Sequence, residues 1–246
     1  MKRAVAIPLL VLAFVLVLGL GGYALVREIF DVSAALPGYD GTWIRSAGVD
    51  LSNAEGHVDL ASAQQDGLTF VIAKATEGGG YHDAAFLDLK QQASKLGLFF
   101  AAYHFGNDAD TGTQVANFLS TAGDVELLFL DYDDPTSMSP QQAIDFLRMV
   151  DAQHGQICGI YIDVNRLSDF EGGVNHPDLA NRPKWIAKYS TTPPDFAWDI
   201  WQYTDGSVLN GEGKKSFQGI GRCDVNHFNG PPTKLVSMFR PGEAVV

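Results

Sequence analysis

Hydrophobic and polar positions alternate along this chain in short blocks that change period many times. Apolar runs over 47–51, 69–75, 98–104, 127–131 and 156–162 are short enough to be buried strands. Between them, 60–65, 84–96, 113–121 and 140–153 carry apolar residues at helical spacing. Strands alternating with helices imply a parallel sheet. Beyond residue 162 the helical pattern thins, and 183–189, 197–203 and 223–226 predict further strands separated by loops. Eight strands with about five helices predict an α/β barrel of the β/α type that finishes irregularly.

The stretch LLFLDYDDP, residues 127–135, organises the rest. Four apolar residues meet three carboxylates within four positions, as when a buried strand opens into a polar pocket. Strand alternation turns Asp131 and Asp133 to one side, Tyr132 and Asp134 to the other. Two carboxyls sharing one small volume push their pKa values apart, which suits acid/base work on a glycosidic bond. A solvated strand end or a hard-cation site is the competing reading of the same residues.

In β/α barrels chemistry sits where strands end. Here the strand ends supply Asp50, Lys74 and Glu77, Tyr103 and His104, Asp131 and Asp133, then Tyr161 and Asp163, and the later segments supply Trp185, the Trp201, Gln202 and Tyr203 run, and Asp224. Taken together beside carboxylates the rings fit a cleft in which they pack on sugar faces, whereas Trp185, Trp201 and Tyr203 taken one by one read equally as core. Lys74 and Glu77 read equally as substrate contacts or as a supporting ion pair. The six histidines show no zinc spacing, and neither a metal nor a cofactor is expected.

Flanking segments set the location. Lys2 and Arg3 precede an uninterrupted apolar run over 4–26, as long as the ~20 residues that cross a bilayer. Residues 1–26 are expected to form a single-pass anchor with the remainder extracytoplasmic, a secreted form with this leader removed being the alternative. Residues 27–42 predict a tether, 43–233 the catalytic-size domain and 234–246 a C-terminal tail. The formal charge is −12, and about −14 without Lys2 and Arg3, which argues against nucleic acid and anionic lipid as partners. Cys158 and Cys223 are the only cysteines, and their spacing leaves open whether they pair.

The segments GVDLSNAEG from Gly48, FVIAKATEGGGYHD from Phe70, AAYHFGN from Ala101, FLDYDDP from Phe129, PKWIAKY from Pro183, DIWQYTDG from Asp199 and GRCDVNHFNG from Gly221 together resemble glycoside hydrolase family 25, the Chalaropsis-type lysozymes. That resemblance implies five β/α units followed by three strands, and hydrolysis of the β-1,4 bond between N-acetylmuramic acid and N-acetylglucosamine in peptidoglycan. It assigns catalytic positions to Asp133, Asp131, Asp50 and Asp224. Tyr103, Trp185, Trp201, Gln202 and Tyr203 match its sugar-contacting lining, to which Tyr161, Lys74 and Glu77 are added from their places at strand ends. The resemblance implies peptidoglycan strands as partner and a role in cell-wall remodelling or catabolism, while the leader adds the membrane through an N-terminal helix; the sequence leaves the oligomeric state open, with a monomer expected. The chain departs from the family pattern at Asp133, where the family's general acid is glutamate. A weak or inactive glycan-binding scaffold is therefore the alternative function.

Overall fold

The computed structural model describes residues 46–133, 137–207 and 216–242. The expected anchor, tether and residue 134 lie outside them. Among the described residues no helix is long and apolar enough to cross a membrane.

Nine strands form one sheet: β1 (Ala47–Leu51), β2 (Leu68–Glu77), β3 (Tyr81–His82), β4 (Phe99–Phe105), β5 (Leu128–Tyr132), β6 (Gly159–Asp163), β7 (Lys184–Ala187), β8 (Ile200–Thr204) and β9 (Asp224–Phe228). The order runs β1-β9-β8-β7-β6-β5-β4-β2-β3, and β1 also pairs with β2, so eight strands close a barrel. β3 is a two-residue addition hydrogen-bonded to the end of β2. Neighbouring barrel strands are parallel except around β9, which runs antiparallel to both β8 and β1, and the added β3 is antiparallel to β2.

Four α-helices follow the first four barrel strands: α1 (Leu60–Gln65), α2 (Phe86–Leu96), α3 (Thr111–Ala122) and α4 (Pro140–His154). Their ends are written locally. Asp59 and Asp110 cap α1 and α3 through side-chain carboxylates. Ser139 and Gln142 form a capping box at α4, Pro140 occupies its first turn, and Gly155 ends it at φ 81°. After β6 the chain instead makes 3₁₀ turns at Val164–Asp169 and Gly173–Asn175. The fifth strand is thus not followed by an α-helix: Gly172 and Gly173 both take positive φ, which interrupts helical continuation.

Alternation along each strand builds two cores. Val71, Leu130, Ile160 and Ile186 face outward to the helices, whereas Phe70, Phe99, Phe129, Ile200 and Phe228 fill the barrel interior. Gly48 and Gly159 make room for this filling. A Cβ on Gly48 would sit 2.2 Å from the Phe70 ring, and one on Gly159 2.3 Å from Phe129.

The C-terminal end is not the tail expected from 234 onward. Pro232–Phe239 forms a helix, α5, with Leu235 and Phe239 buried one turn apart. Phe239 lies 5.4 Å from Phe70 and 5.8 Å from Phe99, ring centre to ring centre, and closes the bottom of the barrel. The bottom is therefore packed, and polar groups gather at the other end.

Candidate active site

Asp50, near the end of β1, sits beside Asp224 at the start of β9, where antiparallel pairing makes them partners. Its buried carboxylate accepts from Gln202 Nε2 at 3.0 and 3.1 Å and from Asn226 Nδ2 at 2.7 Å. The amides are oriented from behind: Tyr161 OH donates to Gln202 Oε1 at 2.8 Å, and Trp185 Nε1 to Asn226 Oδ1 at 2.7 Å. Each amide carbonyl is engaged, so each NH₂ must aim at Asp50. The Trp185 ring in turn packs edge-on against Tyr161 at 4.4 Å and Tyr103 at 5.8 Å.

Asp131 projects from β5 into the same mouth and is buried; its Oδ1 has no hydrogen-bond partner among the described residues. Asp133 follows directly after the strand, half-buried. Lys74 on β2 donates to Glu77 at 2.6 Å and lies over the Phe105 and Tyr81 rings at 5.0 and 5.4 Å. Lys74 and Glu77 thus form an ion pair at the rim.

Electrostatics follow from this crowding. Burial, then the Asp224 charge, holds the Asp50 carboxyl well above the usual range against its amide bonds. Burial and the neighbouring Asp133 raise Asp131 as well, opposed by the Lys74 ammonium. Asp224 is pushed up to about 6 by burial, with Asp205 and Glu55 adding to it, while a long contact from Tyr189 OH at 3.4 Å works the other way. Burial also raises the phenols of Tyr103 and Tyr161, each next most by Asp131. Carboxyls that keep their protons toward neutral pH can donate them.

Two expected lining residues are elsewhere. Gln202 points into the barrel, so its neighbours Trp201 and Tyr203 point out of it. Trp201 packs on Trp198 and donates Nε1 to the Lys188 carbonyl at 2.8 Å, and Tyr203 stacks on His227 at 4.3 Å. They belong to the outer core, since a strand cannot turn three consecutive side chains to one face. His104 is likewise outward, held by Thr76 at 2.8 Å and Gln114 at 3.2 Å against Phe146, and burial pushes it down to about 4. Cys158 and Cys223 are unpaired and buried.

The structure adds Asn226, Tyr189 and Glu55 to the mouth. Asn226 was legible as the residue two positions past Asp224 on one strand, hence on the same face. Tyr189 and Glu55 lie in loops, which carry no periodic signal. Among the described residues no three His, Cys, Asp or Glu side chains are placed to hold a metal ion.

The family described as Glycosyl hydrolases family 25 matches residues 49–212. An autolytic lysozyme of Clostridium acetobutylicum is 26% identical over 176 residues, 67% of this chain and 52% of that protein. The matched region thus spans about half of the clostridial relative's length. Lysozyme M1 of Streptomyces globisporus is 26% identical over 214 residues, covering 78% of this chain and 70% of that one. The crystal structure of a bacterial lysozyme from Streptomyces coelicolor superposes with a TM-score of 0.66 at 25% identity, over 80% of this chain and 98% of its own.

Proposed function

The chain belongs to glycosyl hydrolase family 25, and from that membership we propose that its barrel mouth hydrolyses the β-1,4 bond between N-acetylmuramic acid and N-acetylglucosamine in peptidoglycan. The observation that carries this reading is the gathering of Asp50, Asp131 and Asp224, all with raised pKa values, at one end of the barrel beside Asp133. Asp133 is the acid that protonates the glycosidic oxygen. The unpartnered Oδ1 of Asp131 fits a role as acceptor for the N–H of the substrate's 2-acetamido group. The acetamido oxygen then attacks the anomeric carbon as the leaving oxygen departs with the proton. Water opens the resulting ring and returns a proton to Asp133, giving net retention by the substrate-assisted route. Asp50 and Asp224 hold the charge of the mouth. Tyr103, Tyr161, Trp185 and Gln202 form its lining, and Lys74 with Glu77 its rim.

One feature favours a second reading, a glycan-binding protein with weak or no turnover. Aspartate at 133 retracts the acid by roughly 1 to 1.5 Å relative to glutamate, and misplacement of about 1 Å costs on the order of 100-fold. Purified peptidoglycan incubated with the chain separates the two. Release of fragments with reducing N-acetylmuramic acid ends, read by mass spectrometry, supports the hydrolase; co-sedimentation with glycan and no new reducing ends supports the binder.

The N-terminal segment supports action at the membrane-facing side of the wall. Lys2, Arg3 and the apolar run over 4–26 tether the domain there, and tethering raises effective concentration where an acidic domain gains no attraction to anionic wall polymers.

A further inference from the structure

The last rung between β5 and β6 pairs Tyr132 with Ile162, so the ladder stops one residue before Asp133. The Asp133 carbonyl is taken up by a side chain: Arg166 Nη1 donates to it at 2.9 Å. Arg166 lies in the 3₁₀ turn Val164–Asp169 that follows β6, started by Asp163, whose carboxylate accepts from the Asn165 amide. Its guanidinium is fixed on every other side. Nη2 donates to Tyr132 OH at 2.9 Å, Nε and Nη2 donate to Asp169 Oδ2 at 3.0 and 2.8 Å, and the plane lies 4.3 Å over the Tyr132 ring. Tyr132 itself is fully buried, and its hydroxyl also donates to Asp169 at 3.0 Å. One planar fork thus joins the outer side chain of residue 132 to the backbone of residue 133, which lysine cannot reproduce.

We propose that Arg166 is a positioning residue that fixes where the Asp133 carboxyl stands relative to Asp131. The guanidinium holds the residue-133 peptide by its carbonyl, and the Asp133 side chain turns with that peptide. An acid one methylene shorter than its family counterpart tolerates less such motion. This inference rests on the hydrolytic reading above for its effect on turnover, while its geometric part stands apart from it.

The test uses the full chain as native protein, Arg166→Ala, Arg166→Lys and Asp169→Asn, with Arg148→Ala as a control that breaks an exposed ion pair to Asp178. Two readouts are taken: kcat and KM on peptidoglycan, and the carboxyl titration of Asp131 in the folded protein by ¹³C NMR. Arg166→Ala is expected to lower kcat about 100-fold with KM within about twofold, and to lower the Asp131 pKa as the Asp133 charge moves away. Arg166→Lys and Asp169→Asn fall between, and Arg148→Ala matches native. If Arg166→Ala does not fold, the lysine and asparagine variants decide. Loss of thermal stability with kcat and the Asp131 titration unchanged overturns the proposal, since a purely structural tie would do that. If the native chain shows no turnover, the hydrolytic reading fails, and the titration still decides: a shifted Asp131 supports the clamp and an unshifted one overturns it.

Discussion

Carboxyls crowded into one barrel mouth oppose folding at the pH where they work. Asp224 carries the most direct consequence, because its pKa rises from 3.8 to about 6 on folding. Below about pH 4 both folded and unfolded chains hold its proton. Between about 4 and 6 only the folded chain does, so stability falls as pH rises through that window, and above it the full penalty stands. Asp50 and Asp131, raised in the same direction, extend the decline. Asp224→Asn is therefore expected to raise Tm by about 2–6 °C at pH 7 and to leave it unchanged near pH 3.5, as thermal melts across pH would record. The same residues were the most legible part of the site. Asp50, Asp131, Asp133 and Asp224 each follow or begin an apolar block, and a carboxylate at the edge of a buried strand has few structural uses. Arg166 was not legible as a site residue, because its importance lies in what it hydrogen-bonds rather than in its own chemistry.

Strand alternation decides which neighbours share a site, and β8 is the sharpest case. The Trp201, Gln202 and Tyr203 run read as one lining segment, yet only Gln202 enters the barrel. Gln202→Ala leaves Asp50 short of two hydrogen bonds and is expected to lower kcat at least about tenfold with modest loss of stability. Trp201→Ala is expected to cost about 3–5 kcal/mol in denaturant unfolding, as removal of a large core side chain does. The helix α5 behaves similarly. Phe239→Ala opens the barrel floor and is expected to cost about 3–5 kcal/mol while activity per folded molecule holds. Sequence periodicity located α1 and β1 at their observed bounds, since both are framed by strong signals: Asp59 before one, a clean apolar run in the other. It passed over α5, whose buried face is only Leu235 and Phe239, and β3, which is two residues long. The 3₁₀ turns after β6 have no apolar period of their own, which is why the helical pattern thins beyond residue 162.

At the scale of the whole molecule, a packed floor and an acidic mouth make the barrel directional. Parallel strands deliver their ends to one side, and β9, the one antiparallel strand of the closed barrel, delivers its start there, which brings Asp224 to Asp50 across about 170 residues of chain. The proposed anchor over residues 1–26 places the mouth close to the membrane, and this is testable. Cell fractionation with a C-terminal tag is expected to recover the protein with membranes; recovery of a shortened form in the medium would refute the anchor. In the proposed reaction Asp133 donates the proton that breaks the glycosidic bond. New reducing ends released from purified peptidoglycan, counted for the native chain, Asp133→Asn and Asp133→Glu, test it most directly. N-acetylmuramic acid ends are expected from the native chain, with a fall of about 100-fold or more in Asp133→Asn and a rise in Asp133→Glu as the longer acid reaches the leaving oxygen. Native turnover that survives Asp133→Asn undiminished would contradict it.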